Sequence, residues 1–489
     1  MLDIQGQIKF SEHAVLYDML IPKDNKYRLI DELIDFSFIY DELKEKYCMD
    51  NGSKAADPIM LFKYLMIKAI ENLSDVDVVE HSRYDLSYKR FLGLMPEDDV
   101  VDPSLLTKFR RQRLKDVNLL DMLIGKTVGV AVERGIIKTK TIIVDATHTI
   151  SRANPISPID VLKIRNHDLR DRLMKWPGGI GDLILPDANN DDSLVHELEN
   201  CEALLKVIKE RPDIASNPAF VESINYLEEG VEDIRHHQTT SFDREARVGH
   251  KSAETSFFGY KTHLAMSPER IITAATITTG EKSDGGLLPE LVHKTESNGI
   301  EVDTVVGDAA YSGKDNLALG AEKGIQIVAK LNGMITQGHI ENKTSFRNRF
   351  TYNKDADRYV CPAGIIAHHK SIRHDKRKPN KSNSVRYHWK PQTCEICAMK
   401  EECFNGRKSC LLEIRVLSKE HQNQMEFQKT ETFRVLSRER YKIEAKNAEL
   451  KNVHGYDRAE SYGISALELQ GALIIFVVNL KRIMRIMGK

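Results

Sequence analysis

At 489 residues the chain can hold two to four domains and bury a substantial core. Its 41% hydrophobic and 29% charged residues are ordinary for a soluble protein, and its net charge of −1, unevenly spread, argues neither for nor against a nucleic-acid partner. The first ten residues, MLDIQGQIKF, lack the basic region and apolar core of a signal peptide, and the most apolar run, Ala472 to Val478, falls far short of the roughly 20 residues a membrane span needs, so a soluble cytoplasmic protein without membrane contact is expected.

Residues 1–135 read as helical. Tyr27 to Tyr47 carries apolar residues at helical spacing. Asp57-Pro58 starts a second helix, with Asp at the N-cap and Pro in the first turn. Asn72-Leu73-Ser74 ends it, and a third begins near Asp75. After Asp102-Pro103-Ser104 a further helix carries Lys108, Arg110, Arg111, Arg113 and Lys115. Short helices followed by a basic one fit a DNA-binding domain, and a solvated basic face fits this stretch equally.

From Lys138 the pattern changes to strands. Thr141 to Ile150, TIIVDATHTI, runs four β-branched residues into Asp145. A carboxylate at the end of a buried strand needs a partner, because burying an unpaired charge is costly. Asp303 to Ser312, DTVVGDAAYS, repeats the pattern and ends on Asp308. A single such Asp fits the start of a turn or a helix cap, whereas two strand-end acids suggest a shared metal site. Between them, 154–239 reads as an acidic helical insertion, Phe257 to Met266 and Ile271 to Thr278 as a hairpin, and Asp284 to Asn298 as a helix. A helix over Lys314 to Lys323 and a strand over Ile325 to Leu331 follow. This order predicts a mixed α/β fold.

Residues 332–430 break the pattern. His368 to Lys390 holds eight Lys or Arg, among them Lys376, Arg377 and Lys378, against one Asp, with Tyr387 and Trp389 interleaved. That composition suits a phosphate backbone and base stacking, or else a solvated loop. Four of the seven cysteines lie between Cys394 and Cys410. The Cys394-x2-Cys397 pair has zinc-knuckle spacing, and with Cys361 and Cys403 it would make a four-thiolate structural Zn²⁺ site, with His368, His388 and Cys410 as substitute ligands and reduced, unmetallated cysteines as the alternative. Residues 431–489 are helical. Arg440, Glu444, Ala448 and Lys451 share one face, one acid flanked by two bases, which also fits a solvated face with i,i+4 charge pairs, and Ile464 to Met487 is an apolar helix expected to pack on the sheet.

The sequence resembles the DDE transposases of bacterial insertion sequences. IIVDATH resembles the first-acid strand, FFGYKTH the second strand, VVGDAAYSG the second-acid motif and RYKIEAKNAELK the third-acid motif. The family's third motif is Tyr-x2-Arg-x3-Glu-x6-Lys, which Arg440, Glu444 and Lys451 match, while Ser437 stands at the Tyr position.

The resemblance implies an RNase H-like catalytic core with a mixed five-stranded sheet flanked by helices, built from 136–153, 240–331 and 431–489. An N-terminal all-helical DNA-binding domain would precede it, with the helical insertion at 154–239 and the Cys-rich one at 332–430. It implies that Asp145, Asp308 and Glu444 hold two Mg²⁺ or Mn²⁺ ions for DNA cleavage and strand transfer, and that Arg440, Lys451, Lys261 and Arg110 bind DNA. The partners would be double-stranded DNA, as terminal inverted repeats and target, and a second copy of the chain; the protein would be nucleoid-associated in a bacterium. A relic that binds DNA without cutting it, and a nuclease without strand transfer, are the alternatives.

Overall fold

The computed structural model describes residues 11–47, 55–176, 180, 183–186, 193–235, 241–250, 255–331, 349–353, 356–373, 384–397, 399–400, 403, 411–415 and 418–488. The chain opens with short helices. The single helix expected over Tyr27 to Tyr47 is two, Lys26–Leu33 and Ser37–Leu43. Ile34 is extended, and Asp35 accepts hydrogen bonds from the Ser37 N–H (2.9 Å) and hydroxyl (2.8 Å), which starts a new turn. Asp57 accepts from the Ile59 N–H and caps Pro58–Glu71, and Asn72 ends that helix at φ 54°. Ser74 caps Asp75–Tyr84, and Asp102 caps Pro103–Gln112. Helix Leu119–Glu133 leads to the sheet.

The main sheet has strands β1 (Thr141–Ile150), β2 (Arg247–His250), β3 (Ser256–Met266), β4 (Ile272–Thr279), β5 (Thr304–Val306) and β6 (Gln326–Val328). Their order is β2-β3-β1-β5-β6, with β4 also on β3. β1, β5 and β6 run parallel, and β3 is antiparallel to β1, β2 and β4. The sheet therefore has six strands rather than the expected five. The addition is β2, which pairs with residues 256–259 of β3, while β4 pairs with 260–266. Its four residues, Arg-Val-Gly-His, are too few to show alternation.

Helices cover both faces, so β1 reads as a continuous apolar run. Ile143 joins a core shared with the N-terminal helices and the last helix, Ile464–Ile486. Ile142 and Val144 point into a second core with Val305, Ile327 and the helix Leu288–Ser297. The Ile464–Ile486 helix is long and apolar enough to cross a membrane, but 67% of its most apolar window is buried inside the protein. Its Asn479 bonds Ile272 and Thr127 in that interior.

Between β1 and β2 the helices Pro158–Met174, Leu194–Lys209 and Pro218–Arg235 pack around a core of their own. Buried Asp243 ties the return to the sheet by accepting from the Ser151 and Tyr260 hydroxyls and the Gly463 N–H.

The segment after 348 contains strands the sequence did not reveal. β7 (Thr351–Asn353) and β8 (Arg358–Val360) pair as a hairpin, and β9 (His369–Arg373), β10 (Ser384–His388) and β11 (Leu411–Arg415) form a small antiparallel sheet. Frequent Lys, Arg and His mask their alternation. Tyr387 (5% exposed) and Trp389 (2%) form the core of this subdomain with Ala367 and Leu412, and the Trp389 indole donates to the Ile365 carbonyl at 2.8 Å. They are packing residues, not the exposed stacking platform that the sequence suggested.

Candidate active site

Asp145 lies where β1 outruns its neighbour. β5 pairs with β1 only as far as Ile143. Beyond that point the helix Tyr441–His454 packs against β1. The chain after the helix is laced to the strand: Ile150 N–H donates to the Asp457 carbonyl, Ala459 N–H to the Ile150 carbonyl, both at 2.8 Å, and the Thr149 hydroxyl to the Tyr456 carbonyl at 2.9 Å. Asn447 on this helix donates its Nδ2 to Asp145 Oδ2 at 3.0 Å. Burial pushes the Asp145 carboxyl up to about 6, helped by the nearby Asp308 and Asp284 carboxylates and opposed by the Ala146 N–H and the Arg440 guanidinium.

Asp308 follows β5 after one residue, Gly307. Its carboxylate accepts from the Ala310 N–H at 2.9 Å and caps the turn Ala309–Ser312. Gly307 has no room for a side chain: a Cβ there would lie 2.8 Å from the Tyr311 ring and 3.0 Å from the Val144 methyl. Gly307→Ala is expected to destabilise the fold by about 1–3 kcal/mol through this overpacking, measured by urea unfolding, and wild-type stability would show that Tyr311 can yield. Tyr311 is fully buried, and among the described residues its hydroxyl has no hydrogen-bond partner. Burial raises its pKa strongly, and the Asp145, Asp284 and Asp308 carboxylates add to the effect.

Glu444 is on the same helix as Asn447, but it pairs with Arg440 Nη2 at 3.1 Å and is half exposed. Lys451 Nζ lies 3.3 Å from both ring nitrogens of His148, whose ring packs on Phe257 at a centroid distance of 4.9 Å. Ser437 sits in the preceding turn with its hydroxyl on the Arg434 carbonyl, and the neighbouring Tyr441 is exposed beneath Arg270. The Asp308 carboxylate and the Arg440 guanidinium thus act on Asp145, and Glu444 is held by Arg440. Among the described residues no three His, Cys, Asp or Glu side chains already form a coordination shell. The donor chemistry nonetheless fits a hard divalent cation, because adjacent carboxylates repel one another and the Tyr311 hydroxyl below them is unsatisfied.

The other expected residues are less available. Lys261 Nζ is held by Asp284 (2.9 Å) and the Lys282 carbonyl (2.9 Å). Arg110 is ion-paired with Asp75. Lys376, Arg377, Lys378 and Cys410 lie outside the described residues. Cys361, Cys394 and Cys403 rest on the small core around Trp389, but they do not gather with Cys397 into the expected four-thiolate zinc centre among the described residues. Sequence reading missed Asn447 and Asp284. Asn447, three residues after Glu444, was visible as part of the same helical face, whereas Asp284 looked like a helix start.

A family profile described as "Transposase DDE domain" matches residues 232–480, just over half of the chain. A second, described as "Transposase domain (DUF772)", matches residues 15–112. The first takes in Asp308 and Glu444, while β1 with Asp145 lies outside both matches. No curated protein and no solved structure matches the chain.

Proposed function

This chain belongs to the transposase DDE domain family, and on that premise we propose that it cleaves and joins DNA at the terminal inverted repeats of an insertion sequence, using Asp145, Asp308 and Glu444. The observation that carries this reading is the hydrogen bond from Asn447 to Asp145, which joins the third-acid helix to the first-acid strand.

The three carboxylates would hold two Mg²⁺ or Mn²⁺ ions, which when bound lower the pKa of an attacking hydroxyl and stabilise the leaving oxygen. Asn447 fixes one oxygen of Asp145 and so orients the carboxylate. Glu444 must leave Arg440 to take part. That i,i+4 pair is half exposed and worth only about 0.3–0.5 kcal/mol, so an incoming phosphate can replace it. Arg440 would then bind the scissile-strand phosphate as a planar fork, with Lys451 holding the strand one helical stretch further on.

End recognition falls to the N-terminal helices and to the basic segment His368 to Lys390. Two copies of the chain would pair two DNA ends and present them to target DNA. Incubation of the purified protein with its flanking terminal repeats and Mg²⁺ is expected to yield both nicked and joined products. Nicks without joining would favour a nuclease, and binding without nicks would favour an inactive DNA-binding protein.

A further inference from the structure

A fourth acid stands at the site with no role in the three-acid scheme. Asp284 ends the loop after β4 and begins the turn Gly285–Leu287. This loop is pressed onto the turn that follows Asp308. A Cβ at Gly285 would lie 2.3 Å from the Ala310 carbonyl oxygen, so the backbones meet with no room for a side chain. Asn316 Nδ2 locks the contact by donating to the Gly285 carbonyl at 2.9 Å and to the Tyr311 carbonyl at 3.2 Å.

Asp284 and Asp308 therefore sit on docked turns, with Asp145 on the adjoining strand. Their common floor is Tyr311, fully buried, with a hydroxyl that has no partner among the described residues and lies in the field of all three carboxylates. Leaving such a hydroxyl unsatisfied costs about 1–3 kcal/mol, which an oxygen ligand carried by a bound cation would relieve. The charges point the same way. The Asp308 and Asp284 carboxylates both act on Asp145, while Lys261 pairs with Asp284, His263 Nδ1 lies 3.9 Å from it and the Arg440 guanidinium acts on Asp145 in the opposite sense. Lys261, Nζ 2.9 Å from Asp284, offsets part of this negative charge.

We propose that Asp284 is a further carboxylate of the cation site, acting with Asp145 and Asp308 on the face floored by Tyr311. The inference rests on the metal-site reading given above. Lys261 is then the counter-ion that holds Asp284 in place until a cation binds, rather than a phosphate ligand.

The test is Mn²⁺ titration of the DNA-free full-length protein, with free Mn²⁺ read by electron paramagnetic resonance, for wild type, Asp145→Asn and Asp284→Asn. Asp284→Asn is expected to weaken Mn²⁺ binding by about 10-fold or more. Weakened binding in Asp145→Asn with wild-type affinity in Asp284→Asn overturns the Asp284 assignment and leaves the metal site standing. No Mn²⁺ binding by wild type overturns both. If Asp284→Asn does not fold, Asp284→Glu replaces it: the pair with Lys261 is kept and the carboxylate moves by one methylene, so unchanged affinity there also overturns the assignment.

Discussion

Asp145→Asn is expected to lower cleavage of terminal-repeat DNA on the order of 10³-fold while leaving DNA binding intact. Asn keeps the shape of Asp and can still accept from Asn447, so the strand end is preserved. It loses the anionic oxygen a divalent cation requires, and the transition-state stabilisation at stake is about 4 kcal/mol, equivalent to that factor. Single-turnover cleavage together with a DNA-binding isotherm checks it, and cleavage within a few-fold of wild type would remove Asp145 from the reaction.

The same substitution has a second signature in the metal-free protein. Asp145 titrates at about 6 when folded, against 3.8 for the free side chain. Between these pH values the folded chain holds a proton that the unfolded chain has released. Its contribution to stability is therefore full below pH 4, falls as the pH rises to about 6, and stays low above that. The loss is on the order of 2–3 kcal/mol. Asp145→Asn removes it, so the variant is expected to be more stable than wild type at pH 7 and little different at pH 4, by urea unfolding at both. Equal wild-type-to-variant differences at the two pH values would contradict the burial of this carboxyl.

Asn479→Leu is expected to destabilise the fold by about 3 kcal/mol or more. Asn479 is fully buried in the last helix. Its amide accepts from the Ile272 N–H at 2.8 Å, donates to the Ile272 carbonyl at 2.8 Å and donates to the Thr127 hydroxyl at 3.0 Å. It thus satisfies the first residue of β4 from a helix and joins three elements. Leucine supplies apolar contact but strands two buried backbone groups of Ile272, each costing about 1–3 kcal/mol. A change within about 0.5 kcal/mol in denaturant unfolding would mean that water replaces the amide.

The helix starts at Asp57-Pro58 and Asp102-Pro103 were legible because capping is local chemistry, and the structure has both caps. β1 was legible because both of its faces are buried, which leaves an unbroken β-branched run before Asp145. The strands around Trp389 were not legible. Their apolar residues are few, and they cohere through a small local core that only the folded chain assembles.

At the site, the two strand-end acids were readable from their repeated local pattern. Asp284 was not, since its place depends on the contact of Gly285 with Ala310, a meeting of turns distant in sequence. The Arg440–Glu444 pair was readable, because the i,i+4 spacing of an Arg and a Glu on one helical face is local chemistry.

Glu444→Gln is the most direct measurement of the three-acid account. Single-turnover cleavage of terminal-repeat DNA in Mg²⁺ should fall in this variant to the level of Asp145→Asn, with DNA affinity retained. Cleavage by Glu444→Gln at the wild-type rate would show that the helix contributes no acid to the reaction, and the account would be wrong at its centre.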